Sequence, residues 1–562
     1  MKPNSSPLVR QKSITLISSC ASLISLILFC IVIYQSFLSN LNPITIISSD
    51  SSFLTNPPKI EKEEKIEKAE NIEKIVINSP LYSKSLKSHL YSKEFPYRPA
   101  DSTKAEAVKE AFLHAFHGYS NTCWGQDEIQ PISNTCKNTL GAGLTIVDSL
   151  TTLYIMNLTD EYQKAREFVA NDFRPNGSWS LFEFIIRFIG GFISIYQLTN
   201  DKLYLDKAVE CADAVFPLFD SETGFYTSNF VLETGSDGKM KAKKRSSASP
   251  LLAEVGTYQI EFLTLTALTG DMKYMNLALQ VYKTIWANNP DQVLISEVSR
   301  PLRNVGNHAL HVGAGTDSYF EYIIKSYILT GGVSKKILSQ HNRLMKEIRK
   351  LLIFKTKNLK LTGIGVKTEN RLDPTLEHLA TFIAGTFAVG TVKGNSHSES
   401  DLKLASELVL TFANVTRTMK SKLMPERVLF NLDDASKPDF SLQNDQYMLR
   451  PETVESIFYM YRFTGEQQYR DIAWDFFKGI NTSCRVKNGF VTVRGLDSKI
   501  VPVDIMESFF LAETLNYLYL TFADTRLISP VEWVFNTESH PLHVWPKDII
   551  KKYEKDIQFE GI

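Results

Sequence analysis

The chain has 562 residues, 43% of them hydrophobic, which is enough to bury a large core. Lys plus Arg and Asp plus Glu number 62 each, so no global charge points to nucleic acid or to a strongly charged partner. Length alone is a weak prior for about three or four domains, but the pattern from residue 94 onward favours one large domain.

The first feature along the chain is an uncharged, mostly apolar stretch from Ser13 to Leu38 that follows a short basic segment. It is long enough to cross a bilayer as one helix at about 1.5 Å per residue. Because basic flanks stay in the cytosol, we expect residues 1–12 to be a cytosolic tail and 13–38 a transmembrane anchor. A cleaved signal peptide is the alternative, but the stretch is longer than a typical signal h-region.

Residues 39–93 are predicted to be a luminal stem, because a Ser-, Asn- and Pro-rich stretch leads into alternating charges from Lys59 to Ile75. Luminal placement has weak support from four N-glycosylation sequons, at Asn157, Asn176, Asn414 and Asn481. Cysteine pairing among Cys123, Cys136, Cys211 and Cys484 cannot be deduced from the sequence, although the first two could form a local disulfide.

From about residue 94 to 543 the chain is a succession of amphipathic segments with few period-two runs, which predicts an all-α domain. A degenerate repeat begins at Leu158, Leu198, Leu268 and Phe463. Its turn residues, followed by Tyr and Ala at helical spacing, indicate helical hairpins. Such hairpins form either an open solenoid or a closed α/α toroid around a central cavity. Residues 544–562 are predicted to be a C-terminal tail.

Carboxylates interrupt four apolar helical segments: Glu183; Asp317 and Glu321; Glu452 and Glu455; Glu507 and Glu513. A buried ionised carboxylate costs several kcal/mol unless it is compensated, so their recurrence predicts a shared polar chamber. Each also has a structural alternative: an ion pair with Arg187 or Lys325 four residues on, or a place in the first helical turn after Pro451. The carboxylates outnumber these cations, which favours a functional site.

Six segments, in this order, carry a resemblance to a known family: FEFIIRFIGG, AEVGTYQIEF, GTDSYFEYIIK, LRPETVES, ESFFLAETLNYLYL and VFNTESHP. They resemble glycoside hydrolase family 47, the class I α-1,2-mannosidases of the secretory pathway, over about residues 94–543. The resemblance implies an (α/α)7 barrel, dependence on Ca2+, and removal of terminal α-1,2-linked mannose from Man9-type N-glycans with inversion.

The resemblance also implies roles for individual residues. Glu183 would be the general acid and Glu452 the general base, and Asp317 an essential acid that could share or replace the role of Glu183. Thr537 would bind calcium through its carbonyl and hydroxyl oxygens. The other residues implied to surround the sugar and the metal are Asp127, Arg187, Glu261, Glu321, His378, Glu426, Arg450, Glu455, Phe509, Glu513 and Glu538. Among these Phe509 would stack under the mannose ring, whereas a lone His on an apolar helix, such as His378, is usually structural.

Three departures from the family pattern bear on this expectation. Thr381 and Phe412 stand where mannosidases of the family usually have paired cysteines, and Thr151 where Asp is common. Gly315 lies two residues before Asp317, where endoplasmic-reticulum enzymes that remove one mannose often carry Arg. The resemblance therefore leaves branch selectivity open.

We expect a monomer held in the endoplasmic-reticulum or early Golgi membrane, with a luminal catalytic domain that acts on high-mannose N-glycans of glycoproteins. One alternative is a mannosidase-like protein linked to glycoprotein degradation. A non-catalytic mannose-binding lectin is another, although the retained acids weigh against it. A purely structural toroid is disfavoured by the FNTE motif.

Overall fold

The computed structural model describes residues 81–83, 88–92, 94–245, 250–296 and 309–559. The predicted cytosolic tail and transmembrane anchor lie outside the described residues, as does most of the predicted stem. Within the described part, one helix, Leu181–Thr199, is long and apolar enough to cross a membrane by length and composition alone. It is a core helix of the fold, because 78% of its most apolar stretch is buried.

Helices of the described residues alternate between an outer and an inner layer. The outer helices are α1 (Ser102–Cys123), α3 (Thr159–Asn171), α5 (Lys202–Val215), α7 (Met272–Asn288), α9 (Lys335–Leu351), α11 (Ser398–Thr418) and α13 (Gln467–Ser483). The inner helices are α2 (Leu144–Ile155), α4 (Leu181–Thr199), α6 (Gln259–Thr269), α8 (Asp317–Leu329), α10 (Leu379–Val389), α12 (Glu452–Thr464) and α14, which is Phe510–Thr514 continued by Leu515–Phe522. A last helix, α15 (Lys547–Ile557), lies in the segment predicted as a tail, and buries Tyr553 and Ile557.

The inner helices form a closed ring. Each of them packs against the next in chain order, from α2 to α14, and α14 packs back against α2. Each inner helix also packs against its own outer helix, and α1 pairs with α14 to join the two ends of the domain. The fold is therefore a ring of seven helical hairpins, as the predicted toroid requires, and not an open solenoid.

The repeated sequence motif marks the turns from inner to outer helices. Asn200, Gly270 and Gly465 end inner helices with φ of 56°, 79° and 67°, the left-handed backbone that Gly and Asn tolerate. Asp201 and Asp271 then cap the next helices by accepting a hydrogen bond from the backbone N–H two residues on. The predicted hairpin repeat is confirmed at these junctions.

Short β-strands in the loops were not predicted from the sequence, because runs of two to six residues show too few alternations to detect. All of them pair antiparallel, as β1–β2, β3–β4–β5, β6–β7, β8–β9, β10–β11–β12, β13–β14, β15–β16 and β17–β18. Their bounds are β1 Glu128–Gln130, β2 Thr135–Lys137, β3 Gly177–Ser180, β4 Asn229–Thr234, β5 Met240–Lys244, β6 Ile353–Lys355, β7 Thr362–Ile364, β8 Val366–Lys367, β9 Leu372–Asp373, β10 Thr375–Glu377, β11 Arg427–Phe430, β12 Phe440–Asn444, β13 Arg485–Val486, β14 Gly489–Phe490, β15 Thr492–Arg494, β16 Val501–Val503, β17 Trp533–Phe535 and β18 Pro541–His543.

The β17–β18 hairpin enters the centre of the ring. Just after β18, the backbone N–H of Trp545 donates to the carbonyl of Leu329, at the C-terminal end of α8. At the hairpin tip, residues 536–540, the side chain of Asn536 instead donates to the carbonyl of Ile186, in the N-terminal half of α4. The hairpin therefore fills the ring from the C-terminal ends of the inner helices and places its tip towards their N-terminal ends.

Cysteines fall into two groups. Cys123 and Cys136 form a disulfide that ties the end of α1 to β2, so the local pairing considered from the sequence is observed. Cys211 and Cys484 are free and buried. The sequon at Asn414 lies within α11, and its side-chain oxygen is buried without a hydrogen-bond partner, so this sequon is a poor acceptor for a glycan.

Candidate active site

Six of the seven carboxylates singled out in the sequence line one cavity of about 330 Å³ at the N-terminal ends of inner helices, whereas Glu507 lines a smaller adjoining pocket. The first turn of a helix carries a partial positive charge, so this end of the ring suits several carboxylates. The predicted site residues that line the cavity are Glu183, Arg187, Asp317, Glu321, Arg450, Glu452, Glu455, Phe509, Glu513, Thr537 and Glu538. Side chains more than 300 residues apart in sequence thus form one site.

Arg187 joins the acids on one side of the cavity. Its Nε donates to Oε2 of Glu183 at 2.7 Å, and its Nη1 donates to Oδ2 of Asp148 at 2.9 Å and also to Glu538. Residues Ile185–Ile189 form a π-helical turn within α4, a local widening that often occurs at functional sites. The guanidinium also lies 5.8 Å from the ring centre of Phe509. These contacts support the prediction that Arg187 orients the acids of the site.

Asp148, on α2, was missed in the sequence although it interrupts an apolar helix in the same way as the other acids. Its Oδ2 accepts a hydrogen bond from Ser508 at 2.5 Å as well as from Arg187. The Oδ1 atom lies 3.3 Å from Nε2 of His540, on the β17–β18 hairpin. Burial alone would raise the pKa of Asp148, but Arg187, His540 and Ser508 hold it below its usual value. Asp148 is therefore a buried anion that fixes Arg187.

Thr151, the second departure from the family pattern, contacts His540. Its hydroxyl lies 3.0 Å from Nδ1 of His540, so this residue helps to hold the imidazole against Asp148. Thr381 bonds the hydroxyl of Thr453 at 3.0 Å, in α12, and Phe412 is fully buried. At the two positions where the family usually has cysteines, Thr381 thus forms a hydrogen bond and Phe412 packs in the apolar core.

Four predicted site residues do not line the cavity: Asp127, Glu261, His378 and Glu426. His378 is fully buried, with Nε2 3.8 Å from Oε2 of Glu452. Burial, and secondarily Arg450, lowers the pKa of His378 to about 3, so the ring is neutral near pH 7. Glu426 accepts from Nε of Arg450 at 3.0 and 2.9 Å. Outside the cavity, His378 therefore packs beside Glu452, and Glu426 holds Arg450.

Asp127 holds a loop through hydrogen bonds to backbone N–H groups. Its Oδ2 accepts the backbone N–H groups of Thr139 and Leu140 at 2.7 and 2.6 Å, and its Oδ1 accepts that of Ala142 at 2.9 Å. Both oxygens are thus engaged by the loop that forms part of the cavity rim beside Glu183. Asp127 shapes the rim, and contact with a sugar stays a prediction.

Carboxyl groups of the cavity hold protons unusually strongly. Burial raises the pKa of Asp317 and Glu452 to about 7, and their carboxylate neighbours add to this. Burial also raises the pKa of Glu261 to about 7. For Glu455, Glu513 and Glu538, burial and then nearby carboxylates raise the pKa well above its usual value. The cavity is therefore lined by more carboxyl groups than cationic side chains, and several of these carboxyl groups keep their protons to a higher pH than usual.

Thr537 offers oxygen ligands at the hairpin tip. Its backbone N–H donates to the hydroxyl of Tyr322 at 3.2 Å, and that hydroxyl donates to Oε1 of Glu261 at 2.7 Å. Within the described residues, neither the carbonyl nor the hydroxyl of Thr537 has a hydrogen-bond partner. These two oxygens and the excess of nearby carboxylates fit a hard cation such as Ca2+, which takes six to eight oxygen ligands, often including water.

Among the described residues, no group of three or more His, Cys, Asp or Glu side chains has the arrangement of a metal site. Any cation here would take its protein ligands from Thr537 and reach the carboxylates through water. The calcium site implied by the resemblance stays a prediction.

Known proteins resemble this chain in sequence and in fold. The profile described as Glycosyl hydrolase family 47 matches residues 111–544. The chain is 35% identical over 475 residues to a mannosyl-oligosaccharide 1,2-alpha-mannosidase of Arabidopsis thaliana, covering 83% of each chain. It is 34% identical to a human endoplasmic reticulum mannosyl-oligosaccharide 1,2-alpha-mannosidase, covering 79% of this chain and 64% of the human one. The solved alpha-1,2-mannosidase from Trichoderma reesei superposes with a TM-score of 0.71 at 25% identity, over 80% of this chain and 100% of its own.

Proposed function

The chain belongs to glycosyl hydrolase family 47 and is a glycosidase, and on that premise we propose that it is an inverting, Ca2+-dependent α-1,2-mannosidase acting on Man9-type N-glycans. The observation that carries the proposal is the meeting of Glu183, Asp317 and Glu452 in one cavity. Two of these acids have a pKa of about 7, so protons can be given and taken near neutral pH.

Glu452 is proposed as the general base. It stands in the first turn of α12, with Nε2 of His378 3.8 Å from its Oε2, and that oxygen is buried without a hydrogen-bond partner. This oxygen is free to accept a proton from a water that attacks the anomeric carbon. The bond from that carbon to the departing oxygen breaks, a proton on the opposite face goes to the departing oxygen, and β-mannose is formed.

Glu183 and Asp317 are the candidates for the proton donor. Glu183 is engaged by Arg187 at 2.7 Å, whereas the raised pKa of Asp317 keeps a proton available to neutral pH. We propose that Asp317 supplies the proton within a pair with Glu183, whose ion pair sets the position of Arg187. Thr537, with Glu455, Glu513 and Glu538 through water, would hold Ca2+, and the bound cation would supply attachment for sugar hydroxyls.

A substrate whose leaving group needs no protonation separates these roles. With α-mannosyl fluoride, replacing the proton donor costs little rate, whereas replacing the base still abolishes turnover. We expect Asp317→Asn to lose roughly 10²–10⁴-fold in kcat on the glycan but under roughly tenfold on the fluoride. Equal losses on both substrates would remove Asp317 from the donor role, and the same comparison for Glu183→Gln would then identify it as the donor.

The function itself is tested by incubating the protein with Man9GlcNAc2, with and without a calcium chelator. We expect release of β-mannose, identified by NMR before mutarotation, and its loss when Ca2+ is removed. The isomer that remains identifies the branch that is trimmed. A folded protein that binds the glycan and releases no mannose would contradict the enzyme and favour a mannose-binding lectin.

Calcium and pH should act on stability together. In the chelated protein, Glu261, Asp317 and Glu452 keep protons that the unfolded chain releases between about pH 4 and 7. The folded state then binds more protons than the unfolded state, so stability falls as pH rises through this window. A bound cation favours the ionised carboxylates, so we expect Ca2+ to raise Tm more at pH 7.5 than at pH 5.5.

Thermal unfolding with Ca2+ or chelator at the two pH values measures this effect. A stabilisation of about 2.7 kcal/mol is expected when free Ca2+ is 100 times its Kd. Thr537→Val should remove most of the Ca2+-dependent rise in Tm, whereas Thr418→Val, at the exposed end of α11, should leave it unchanged. A rise that is equal at both pH values would contradict the proposed link with these carboxylates.

We propose further that residues 13–38 anchor the protein in the endoplasmic-reticulum or early Golgi membrane, with residues 94–543 as a luminal, monomeric catalytic domain. The human relative is named for the endoplasmic reticulum, which supports this compartment. A protease-protection assay on membranes should leave the catalytic domain intact until the membrane is opened.

A further inference from the structure

A second cavity, of about 490 Å³, lies outside the proposed active site, between the outer helices α1 and α3. Trp124, the residue after α1, lines it with 37% of its surface exposed. Phe116 and Phe168 meet the indole edge-on, with ring centres at 6.4 and 6.1 Å, and are themselves buried. The indole is therefore held in one position with part of its surface open to the cavity.

Polar side chains with unused hydrogen-bonding groups surround this indole. Asn121, Asn171 and Asp172 line the cavity and are exposed, and no hydrogen bond of their side chains is found among the described residues. Amides both donate and accept, and a carboxylate accepts two hydrogen bonds side by side. A sugar ring has an apolar C–H face that packs on an aromatic ring, and hydroxyls at its edge that match such groups. The lining therefore suits a saccharide.

This groove, defined by Trp124, Asn121, Asn171 and Asp172, lies towards the same end of the ring as the proposed active site. Trp124 leads directly into Asp127, whose carboxylate holds the loop at the rim of the cavity. Phe168 packs under that loop, because a Cβ added at Gly143 would come within 2.6 Å of its ring. The outer helices end where the inner helices begin, so the groove and the active-site cavity lie towards the same end of the ring.

We propose that this groove is a second oligosaccharide-binding site, which takes one mannose-containing arm of a branched glycan while another arm enters the active-site cavity. The inference rests on the proposed function for its substrate class. A second site of this kind would make the protein prefer branched substrates to short linear ones. The active-site residues alone would not produce this preference.

Binding can be measured without turnover. The protein is labelled with 5-fluorotryptophan, and the 19F resonance of Trp124 is assigned by its loss in Trp124→Phe. Man5GlcNAc2, which has no α-1,2 linkage to cleave, should shift that resonance, and the shift should weaken in the double variant Asn171→Ala, Asp172→Ala. No shift of the Trp124 resonance, or an equal shift with a maltooligosaccharide, would overturn the proposal. Because this readout needs no activity, it holds even if mannose release is absent.

Kinetics supply a second readout. Trp124→Ala should raise KM for Man9GlcNAc2 roughly three- to tenfold, the loss of one aromatic contact, and leave kcat and the hydrolysis of α-1,2-mannobiose unchanged. Tyr97→Ala removes another exposed ring outside the groove and should change neither substrate. A parallel loss on both substrates would mean that Trp124 only supports the rim loop, and the proposal would fail. The double variant Asn171→Ala, Asp172→Ala leaves the packing around Trp124 intact, and it should also raise KM for Man9GlcNAc2 without changing the hydrolysis of α-1,2-mannobiose.

Discussion

Replacing Glu452 with Gln should lower kcat for mannose release by roughly 10²–10⁴-fold, the contribution typical of a general base. Gln keeps the shape of the side chain but cannot accept the proton of the attacking water. The folded protein should not lose stability, because the raised pKa of Glu452 shows that its charged form is unfavourable there. Steady-state release of mannose and thermal unfolding of the same preparation measure both effects.

Two further variants test the assignment of Glu452 as the base. In Glu452→Ala the side chain leaves space, so a small nucleophile such as azide should restore turnover and give β-mannosyl azide. Glu407→Gln, on the outer helix α11 and paired with Lys355, should keep full activity. Formation of α-mannosyl azide, or azide rescue of Asp317→Asn but not of Glu452→Ala, would contradict the assignment.

Replacing Arg187 with Met should destabilise the fold by about 3–5 kcal/mol, the range found when one partner of a buried ion pair is removed. Arg187 is 9% exposed and joins Asp148, Glu183 and Glu538, so its loss leaves negative charge buried without a partner. Chemical unfolding in the presence of chelator measures the change without a contribution from Ca2+.

Two controls make the Arg187 result specific. Arg187→Lys keeps the charge but loses the planar fork that reaches several carboxylates, so an intermediate loss is expected. Arg417→Met breaks an exposed pair with Asp475, at 3.3 Å, and should cost less than about 1 kcal/mol. A loss for Arg187→Met no larger than that for Arg417→Met would contradict the view of Arg187 as the partner of three acids.

Most of the site's acids on the inner helices were found from sequence because each breaks an apolar pattern within a single segment, but Asp148 was missed although it does the same on α2. Their convergence also followed, since a closed ring brings the first turns of its inner helices together. Ser508 and His540 were missed, because a serine or a histidine has many structural uses and their partner Asp148 lies more than 350 residues away. Asp127 shows a further limit: its partners are backbone N–H groups, which leave no signal in residue types.

The order of synthesis gives the β17–β18 hairpin one more consequence. A ribosome releases all fourteen helices of the ring before the hairpin tip with Thr537 and Glu538. Until then the centre of the ring is not filled, and Arg187 and Glu261 lack their hydrogen bonds with Glu538 and Asn536 at the tip. A nascent chain is therefore expected to stay inactive after its acid- and base-bearing helices have left the ribosome, so that trimming is confined to finished molecules.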